Sequence, residues 1–486
     1  GNSSSHAPHK AVAGRPHQHD VCHDEDDFEC DEVAILLPKD QETLVEWEPQ
    51  NLEEASISEM YRSIKIPTHG NWWTKMSKFI GPGFLVAVGY MDPGNWMTDI
   101  AAGSMFDYSL LFVVLMSSVI AMFLQALSLR LGMVTRRDIA QHCRDHYPRW
   151  AVTFLWVTAE IAIMACDLAE VIGSAVALKL LFNIPLVWGV LITALDVIVL
   201  LVLSGRNMRW IEGIILTLML TIIACFAVDL WIAKPDGLKI VEGTFWPDFD
   251  IITNSSKLYL SVGIMGATIM PHNLYLHSSI VQSRDTPLHV EGMRESLLFA
   301  TIDSSVSLTL AFFVNAAILI LAAATFHRSG HPEVASLDTA YTILADVLGT
   351  RAASALFGVA LLASGQQSTI TGTMAGQIVM EGFITWSLRP EVRRLVTRLA
   401  AVLPAAAMVV FSGDDAVNSL LVLSQVVLSF QLPFVIFPLV QFSSDPGLMG
   451  EFANSRGTKV LAYLCAVLVV ALNVILVVQT FAGDGS

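Results

Sequence analysis

The sequence predicts an all-α integral membrane protein of eleven transmembrane helices, arranged as two inverted five-helix repeats plus one further helix. Three observations carry that expectation. The 486-residue chain is 54% hydrophobic and only 15% charged, with a mean hydropathy of +0.58, where an ordinary soluble domain carries about 25% charged residues. Apolar runs of about 17–25 residues recur along it, the length that a hydrocarbon core of ~30 Å demands of a helix. The first and sixth of these runs are each interrupted at mid-length by a proline with polar neighbours. Six cysteines are scattered without paired spacing, so neither a disulfide framework nor a CxxC metal knuckle is readable. This composition excludes a soluble enzyme, a secreted scaffold and a nucleic-acid binder.

The eleven spans fall near residues 79–106, 109–129, 151–178, 186–204, 211–232, 259–282, 296–325, 352–379, 394–412, 415–442 and 459–481. Before them, residues 1–60 hold fifteen Asp/Glu against three Lys/Arg, a net charge of −12 out of −16 for the chain. Residues 1–75 are therefore expected to form a disordered, acidic cytoplasmic tail without a signal peptide. Its five histidines (His6, His9, His17, His19, His23) are expected to be solvated. Glu32 to Leu37 fits an acidic dileucine sorting pattern. The membrane domain is 76–486, with repeats 79–232 and 259–442 and the extra helix 459–481.

Lys and Arg collect in cytoplasmic loops. The even-numbered connections carry five, two, two, four and two of them, against six on all the opposite connections together. The N-terminus is therefore expected inside and, after eleven spans, the C-terminus outside. Asn254-Ser255-Ser256 is a glycosylation sequon in the outer loop before span 6.

The two interruptions carry the chemistry. Span 1 contains Gly89-Tyr90-Met91-Asp92-Pro93-Gly94-Asn95-Trp96, and span 6 contains Gly266-Ala267-Thr268-Ile269-Met270-Pro271-His272-Asn273. A proline in a helix interior removes a backbone donor, and the polar groups it frees are tolerated at membrane depth only inside protein or beside water. Either break alone could be a packing kink. Two matched breaks five spans apart, each with a Pro-x-Asn, point to a transporter whose site lies at the repeat interface. An ionisable group at the bilayer centre costs several kcal/mol unless paired or solvated, so Asp92 is a functional residue by expectation. Asp92, Asn95 and carbonyls freed by the break are hard oxygen ligands. Met270 adds a thioether, which favours Fe²⁺, Mn²⁺, Co²⁺ or Cd²⁺ over Ca²⁺ and Mg²⁺.

On span 3, Glu160, Asp167 and Glu170 lie at spacings of seven and three, which places them along one helix face. Arg398 on span 9 and His272 and His277 on span 6 are candidate partners, and alternating acids and histidines are what a proton relay needs. A structural clamp of ion pairs is the alternative. Gln425 on span 10 is placed either to ligate, to hydrogen-bond or simply to pack.

These residues resemble the Nramp proteins, proton-coupled transporters of divalent transition metals. The resemblance covers roughly residues 75–482. It rests on Asp92-Pro93-Gly94-Asn95, on the string from Gly266 to Ser279 and on Ser364-Gly365-Gln366-Gln367-Ser368-Thr369-Ile370-Thr371-Gly372-Thr373 in span 8. It implies a LeuT-like inverted repeat with broken helices 1 and 6. It also implies a metal site made of the side chains of Asp92, Asn95 and Met270 and the main-chain carbonyls of Ala267 and Gly89, joined in some conformations by Gln425. Gly89 stands where many relatives have Ala, and is expected to loosen the turn. The implied proton route runs through Asp92, His272, Glu170, Asp167, Glu160 and Arg398, with His277 nearby. Cys166 replaces the Thr common in relatives just before Asp167.

The expected function is import of Mn²⁺/Fe²⁺-type ions, with Co²⁺ and Cd²⁺ accepted, coupled to protons by alternating access. No enzyme activity and no cofactor are expected; the partners are divalent metal ions, protons and the lipid bilayer, and the default assembly is a monomer. The cell membrane is the expected location, with endosomal, lysosomal or vacuolar membranes as alternatives. Rival readings are an amino-acid or amine symporter of the same fold and a metal sensor that does not transport. No HExxH pattern supports a membrane metallohydrolase.

Overall fold

The computed structural model describes residues 61–67, 70–193, 195, 208–287, 289–330, 336–348, 351–384 and 390–483. The acidic stretch 1–60, with its histidines and dileucine pattern, lies outside the described residues. Residues 61–75, assigned to the tail from sequence, already carry structure: strand β1 (Ile64–Lys65) pairs in parallel with β2 (Arg284–Asp285), and helix α1 (Trp72–Phe79) follows. An Arg62–Asp285 ion pair at 2.6 Å and the packing of Trp72 and Phe79 on Phe299 hold this segment down.

Span 1 is two helices, α2 (Pro82–Gly89) and α3 (Pro93–Phe106). Both begin with proline at the first helical position, where its missing N–H costs nothing. Then come α4 (Leu111–Thr135), the loop helix α5 (Ile139–His146), α6 (Arg149–Phe182), α7 (Leu186–Thr193), α8 (Met208–Ala233) and a second loop helix, α9 (Gly237–Phe245). Span 6 is again two helices, α10 (Ser255–Ile269) and α11 (Pro271–Ile280). After β2 follow α12 (Val290–Ala322), loop helix α13 (Leu337–Leu348), α14 (Arg351–Phe383), α15 (Pro390–Ser443) and α16 (Arg456–Gly483).

Six unbroken helical stretches among the described residues are long and apolar enough to cross a bilayer: α4, α6, α8, α12, the Asn418–Ser443 part of α15, and α16. Spans 1 and 6 are split by their prolines and α14 carries the polar Ser364 to Thr373 string, while span 4 lies partly outside the described residues. Spans 9 and 10 differ from expectation, because no break separates them at residues 412–415 and the backbone stays helical from Pro390 to Ser443. The same helix also continues through Pro404, Pro433 and Pro438.

The broken helices occupy the centre. α3 and α10 pack on each other and on α15, α10 also packs on α4, α2 and α3 pack on α12, and α11 packs on α4 and α14. α16 touches α15 and α10 from outside; only 33% of its apolar window is buried, against 61% for α4 and 72% for α6. Exposed tryptophans sit near helix ends (Trp72, Trp73, Trp150, Trp210, Trp231), where amphipathic rings meet the membrane–water interface.

Small residues set the close approaches. A Cβ on Gly103 of α3 would lie 2.3 Å from the Leu319 carbonyl oxygen of α12. Gly103→Val is therefore expected to cost about 1–3 kcal/mol or more through overpacking, seen as a lower melting temperature and folded yield; an unchanged melting temperature would refute the contact. Asn254, the sequon residue, caps α10: its side chain accepts from the N–H groups of Ser256 and Lys257 at 3.0 and 3.1 Å.

Candidate functional site

Each proline defines a freed carbonyl. In an α-helix the carbonyl of residue i accepts from the N–H of residue i+4, and both Gly89–Pro93 and Ala267–Pro271 have that spacing. Proline supplies no N–H, so the carbonyls of Gly89 and Ala267 lose their helical donors at the two breaks. These are the carbonyls that the resemblance implies as ligands.

Around the span 1 break the polar groups are ordered by specific bonds. Asp92 caps α3, accepting from the Asn95 N–H at 2.9 Å, while its other oxygen accepts from Gln425 Nε2 at 3.2 Å. Asp92, Asn95 and Gln425 are all fully buried. Gly94 makes this approach possible, since a Cβ there would collide with the Gln425 amide. The Asn95 Nδ2 donates to the Tyr90 carbonyl, which also receives the Asn315 amide at 2.9 Å. The Asn95 Oδ1 meets the Thr98 hydroxyl at a long 3.5 Å. Ser364 of α14 donates to the Met91 carbonyl, and Trp96 Nε1 does so at 3.1 Å.

At the span 6 break Met270 has φ 39° and ψ 101°, a region that non-glycine residues rarely occupy and that persists only when the surroundings enforce it. It closes α10 and opens α11, and is fully buried with Ala267. Asn273 Nδ2 donates to the Met270 sulfur at 3.4 Å. The same amide fills the space beside Gly89, where a Cβ would lie 2.1 Å from it. Glycine at 89 therefore lets the two breaks meet; loosening the turn, the role expected from sequence, is not its visible effect.

On span 3, Asp167 and Glu170 are buried, while Glu160 is half-buried and accepts from Trp156 Nε1 at 2.9 Å. Gly372 of α14 makes room for the inner pair: a Cβ there would lie 3.0 Å from a Glu170 oxygen and 3.2 Å from an Asp167 oxygen. Cys166 joins spans 3 and 6, its sulfur 3.6 Å from Glu170 Oε1 and 3.7 Å from His272 Nε2. His277 goes elsewhere. Its Nδ1 bonds Gln125 of α4 at 2.8 Å, and Gln125 in turn donates to the Tyr90 hydroxyl at 2.6 Å. Arg398 lies in the backbone of α15, but its side chain is outside the described residues.

Among the described residues no cluster of three or more His, Cys, Asp or Glu is placed to hold a metal. The groups at the breaks are of another kind: one carboxylate, two amides, a thioether and main-chain oxygens. Asn315 and Gln125 were not singled out from sequence, Asn273 entered only through the Pro-x-Asn of the break, and Cys166 only as a replacement for Thr. Lone amides inside otherwise apolar runs are the signal that marks the first two.

The family model described as natural resistance-associated macrophage protein-like, Nramp, matches residues 83–479. A divalent metal cation transporter MntH from Nostoc sp. is 52% identical over 435 residues, covering 90% of this chain and 98% of the relative. One from Mesorhizobium japonicum is 48% identical over 433 residues, covering 89% and 95%. A crystal structure of the Eremococcus coleocola manganese transporter superposes with a TM-score of 0.81 at 38% identity, covering 89% of this chain and 93% of that one. The matched region contains both helix breaks, the span 3 carboxylates and the polar string of α14, and the chain belongs to the Nramp family.

Proposed function

We propose that this chain is a secondary transporter of divalent transition metal ions of the Mn²⁺/Fe²⁺ class, moving them inward with protons by alternating access. Co²⁺ and Cd²⁺ are further substrates, and the protein is not an enzyme. The observation that carries the reading is the meeting of two broken helices in the buried centre of the bundle, with Asp92, Asn95 and Met270 around them. The names of the MntH relatives and of the manganese transporter support the substrate class. In this reading the ion is held by the side chains of Asp92, Asn95 and Met270 and by the carbonyls of Gly89 and Ala267. Gln425, hydrogen-bonded to Asp92, exchanges that bond for the metal in part of the cycle.

Protons travel separately, from Asp92 through His272 to Glu170, Asp167, Glu160 and Arg398. The Cys166 sulfur, within reach of both His272 and Glu170, bridges the step between spans 6 and 3. Repeats 79–232 and 259–442 rock about the broken helices, with helix 459–481 outside them. The Lys/Arg distribution puts the N-terminus and the acidic tail in the cytoplasm. The protein works as a monomer in the cell membrane.

Selectivity tests the assignment of sulfur. Met270→Ala should weaken discrimination against Ca²⁺ more than it weakens Mn²⁺ uptake, since a hard ion gains nothing from a thioether. The readout is Ca²⁺ competition against Mn²⁺ uptake in proteoliposomes. Competition should strengthen in the variant; if Ca²⁺ stays equally ineffective, Met270 packs the break and does not filter ions.

A further inference from the structure

Between spans 5 and 6 the chain forms a helix of its own. Asp236 caps α9, its side chain accepting from the Leu238 N–H at 3.0 Å, and successive side chains then turn by about 100° around the axis. One face lies on the bundle: Ile240 packs against the core, α9 contacts α4, and a Cβ on Gly243 would lie 2.3 Å from the Tyr108 carbonyl oxygen. A second face is polar, with Lys239 paired to Asp107 at 3.1 Å and Glu242 exposed. The third face holds Leu238, Val241 and Phe245, which fall within about 60° of one another around the helix. They are 84%, 57% and 65% exposed.

The apolar character continues beyond the helix at both ends. Trp246 and Phe249 in the turn that follows are exposed, as is Trp231 near the end of α8. Single apolar residues on a surface need no partner, but a stripe of large ones does. What covers it follows from the neighbouring helix. α8 has only 39% of its apolar window buried, so the rest of that window faces lipid, and only Lys234, Pro235 and Asp236 separate α8 from α9. The stripe therefore begins where the lipid-facing surface of α8 ends. A short helix with one apolar and one charged face suits the plane of the membrane interface, the depth at which tryptophan collects. A protein partner has no such continuity to extend.

We propose that α9 and the turn after it form an interfacial membrane anchor, with Leu238, Val241, Phe245, Trp246 and Phe249 in the lipid leaflet at the end of the bundle where span 5 leads to span 6, and Lys239 and Glu242 in water. The anchor bears on both broken helices. Asp248, between Trp246 and Phe249, pairs with Lys257 of α10 at 2.5 Å, and Lys257 Nζ lies 5.3 Å from the ring centre of Phe106 at the end of α3. One loop thus ties α3 and α10 to the leaflet, whatever the cargo.

The test places nitroxide labels at Leu238→Cys, Phe245→Cys and Glu242→Cys, one at a time, in the full chain with Cys22 and Cys30 replaced by Ser and reconstituted in phosphatidylcholine vesicles; the other four cysteines are buried. Collisions are measured with oxygen, which partitions into lipid, and with a water-soluble nickel chelate. Oxygen should dominate several-fold at Leu238→Cys and Phe245→Cys, and nickel at Glu242→Cys. If a labelled variant fails to fold, Trp246 decides: the emission lost in Trp246→Phe should be quenched by phosphatidylcholine brominated on its acyl chains. Nickel dominating along the stripe places it in water. Exclusion of both reagents places it against protein, a second copy where the spectra also broaden. Either result, or Trp246 emission that brominated lipid leaves unquenched, overturns the proposal.

Discussion

Asp92→Ala is expected to abolish Mn²⁺ binding and uptake while leaving a folded protein. Asp92 is the only formal negative charge in the set Asp92, Asn95, Met270, Gln425 and the two carbonyls. Its removal leaves a divalent cation facing neutral ligands in a fully buried centre, where an uncompensated charge costs several kcal/mol. Loss of a group that merely orients a ligand lowers metal affinity by about 10–100-fold, so loss of the charged ligand itself should exceed the upper end of that range. Folding should survive, because Asp92 caps α3 through one backbone bond and the loss of a cap costs roughly 1 kcal/mol. Isothermal calorimetry on the variant, with folding checked by size exclusion, reads the result. Unchanged Mn²⁺ affinity in folded Asp92→Ala would remove Asp92 from the metal site.

Glu170→Gln separates the proton route from the cargo. The substitution keeps size and hydrogen-bonding capacity and removes titration, in a residue beside the Cys166 sulfur that also faces His272. Mn²⁺ uptake should persist in part, its pH dependence flattened and its accompanying internal acidification reduced several-fold. An ion-pair clamp predicts a different pattern: folded yield and both fluxes fall together, and the proton-to-metal ratio of the surviving protein stays that of the wild type. Measuring both fluxes in the same vesicles distinguishes them, and an unaltered ratio would falsify the relay role.

Most of the spans and both breaks were legible because burial in lipid imposes a length and an apolar composition that any single sequence displays. The loop helices α5, α9 and α13 were not, since each is short and lies between the long apolar runs that the reading follows. α5 does carry a local signal, the Asp138–Gln141 capping box, in which the Asp138 side chain accepts from the Gln141 N–H at 2.9 Å. The pairing of β1 with β2 joins residues more than two hundred positions apart through backbone atoms, and no side-chain pattern in two-residue strands records it.

Within the site, Asp92, Asn95 and Met270 stood out by type and place, whereas their neighbours follow from geometry that periodicity does not carry. His272 and His277 illustrate the point. Five residues apart, they lie about 140° apart around a helix, so they face different neighbours: Cys166 on span 3 for one, Gln125 on α4, which is span 2, for the other. Of the two, His272 is the one whose ring faces span 3, through the Cys166 sulfur. The freed carbonyls of Gly89 and Ala267 were available from the sequence, through the four-residue spacing to each proline. Cys166 was noticed only as a replacement for Thr, and its position between Glu170 and His272 needs the packing of two helices to be seen.

Simultaneous recording of Mn²⁺ uptake and internal pH in proteoliposomes bearing the wild-type protein addresses the central claim most directly. With a metal gradient and an inside-negative potential, the account predicts that Mn²⁺ enters and the lumen acidifies in step, both absent from vesicles bearing Asp92→Ala. Mn²⁺ entry without any accompanying proton flux, or equal entry into vesicles bearing Asp92→Ala, would contradict it.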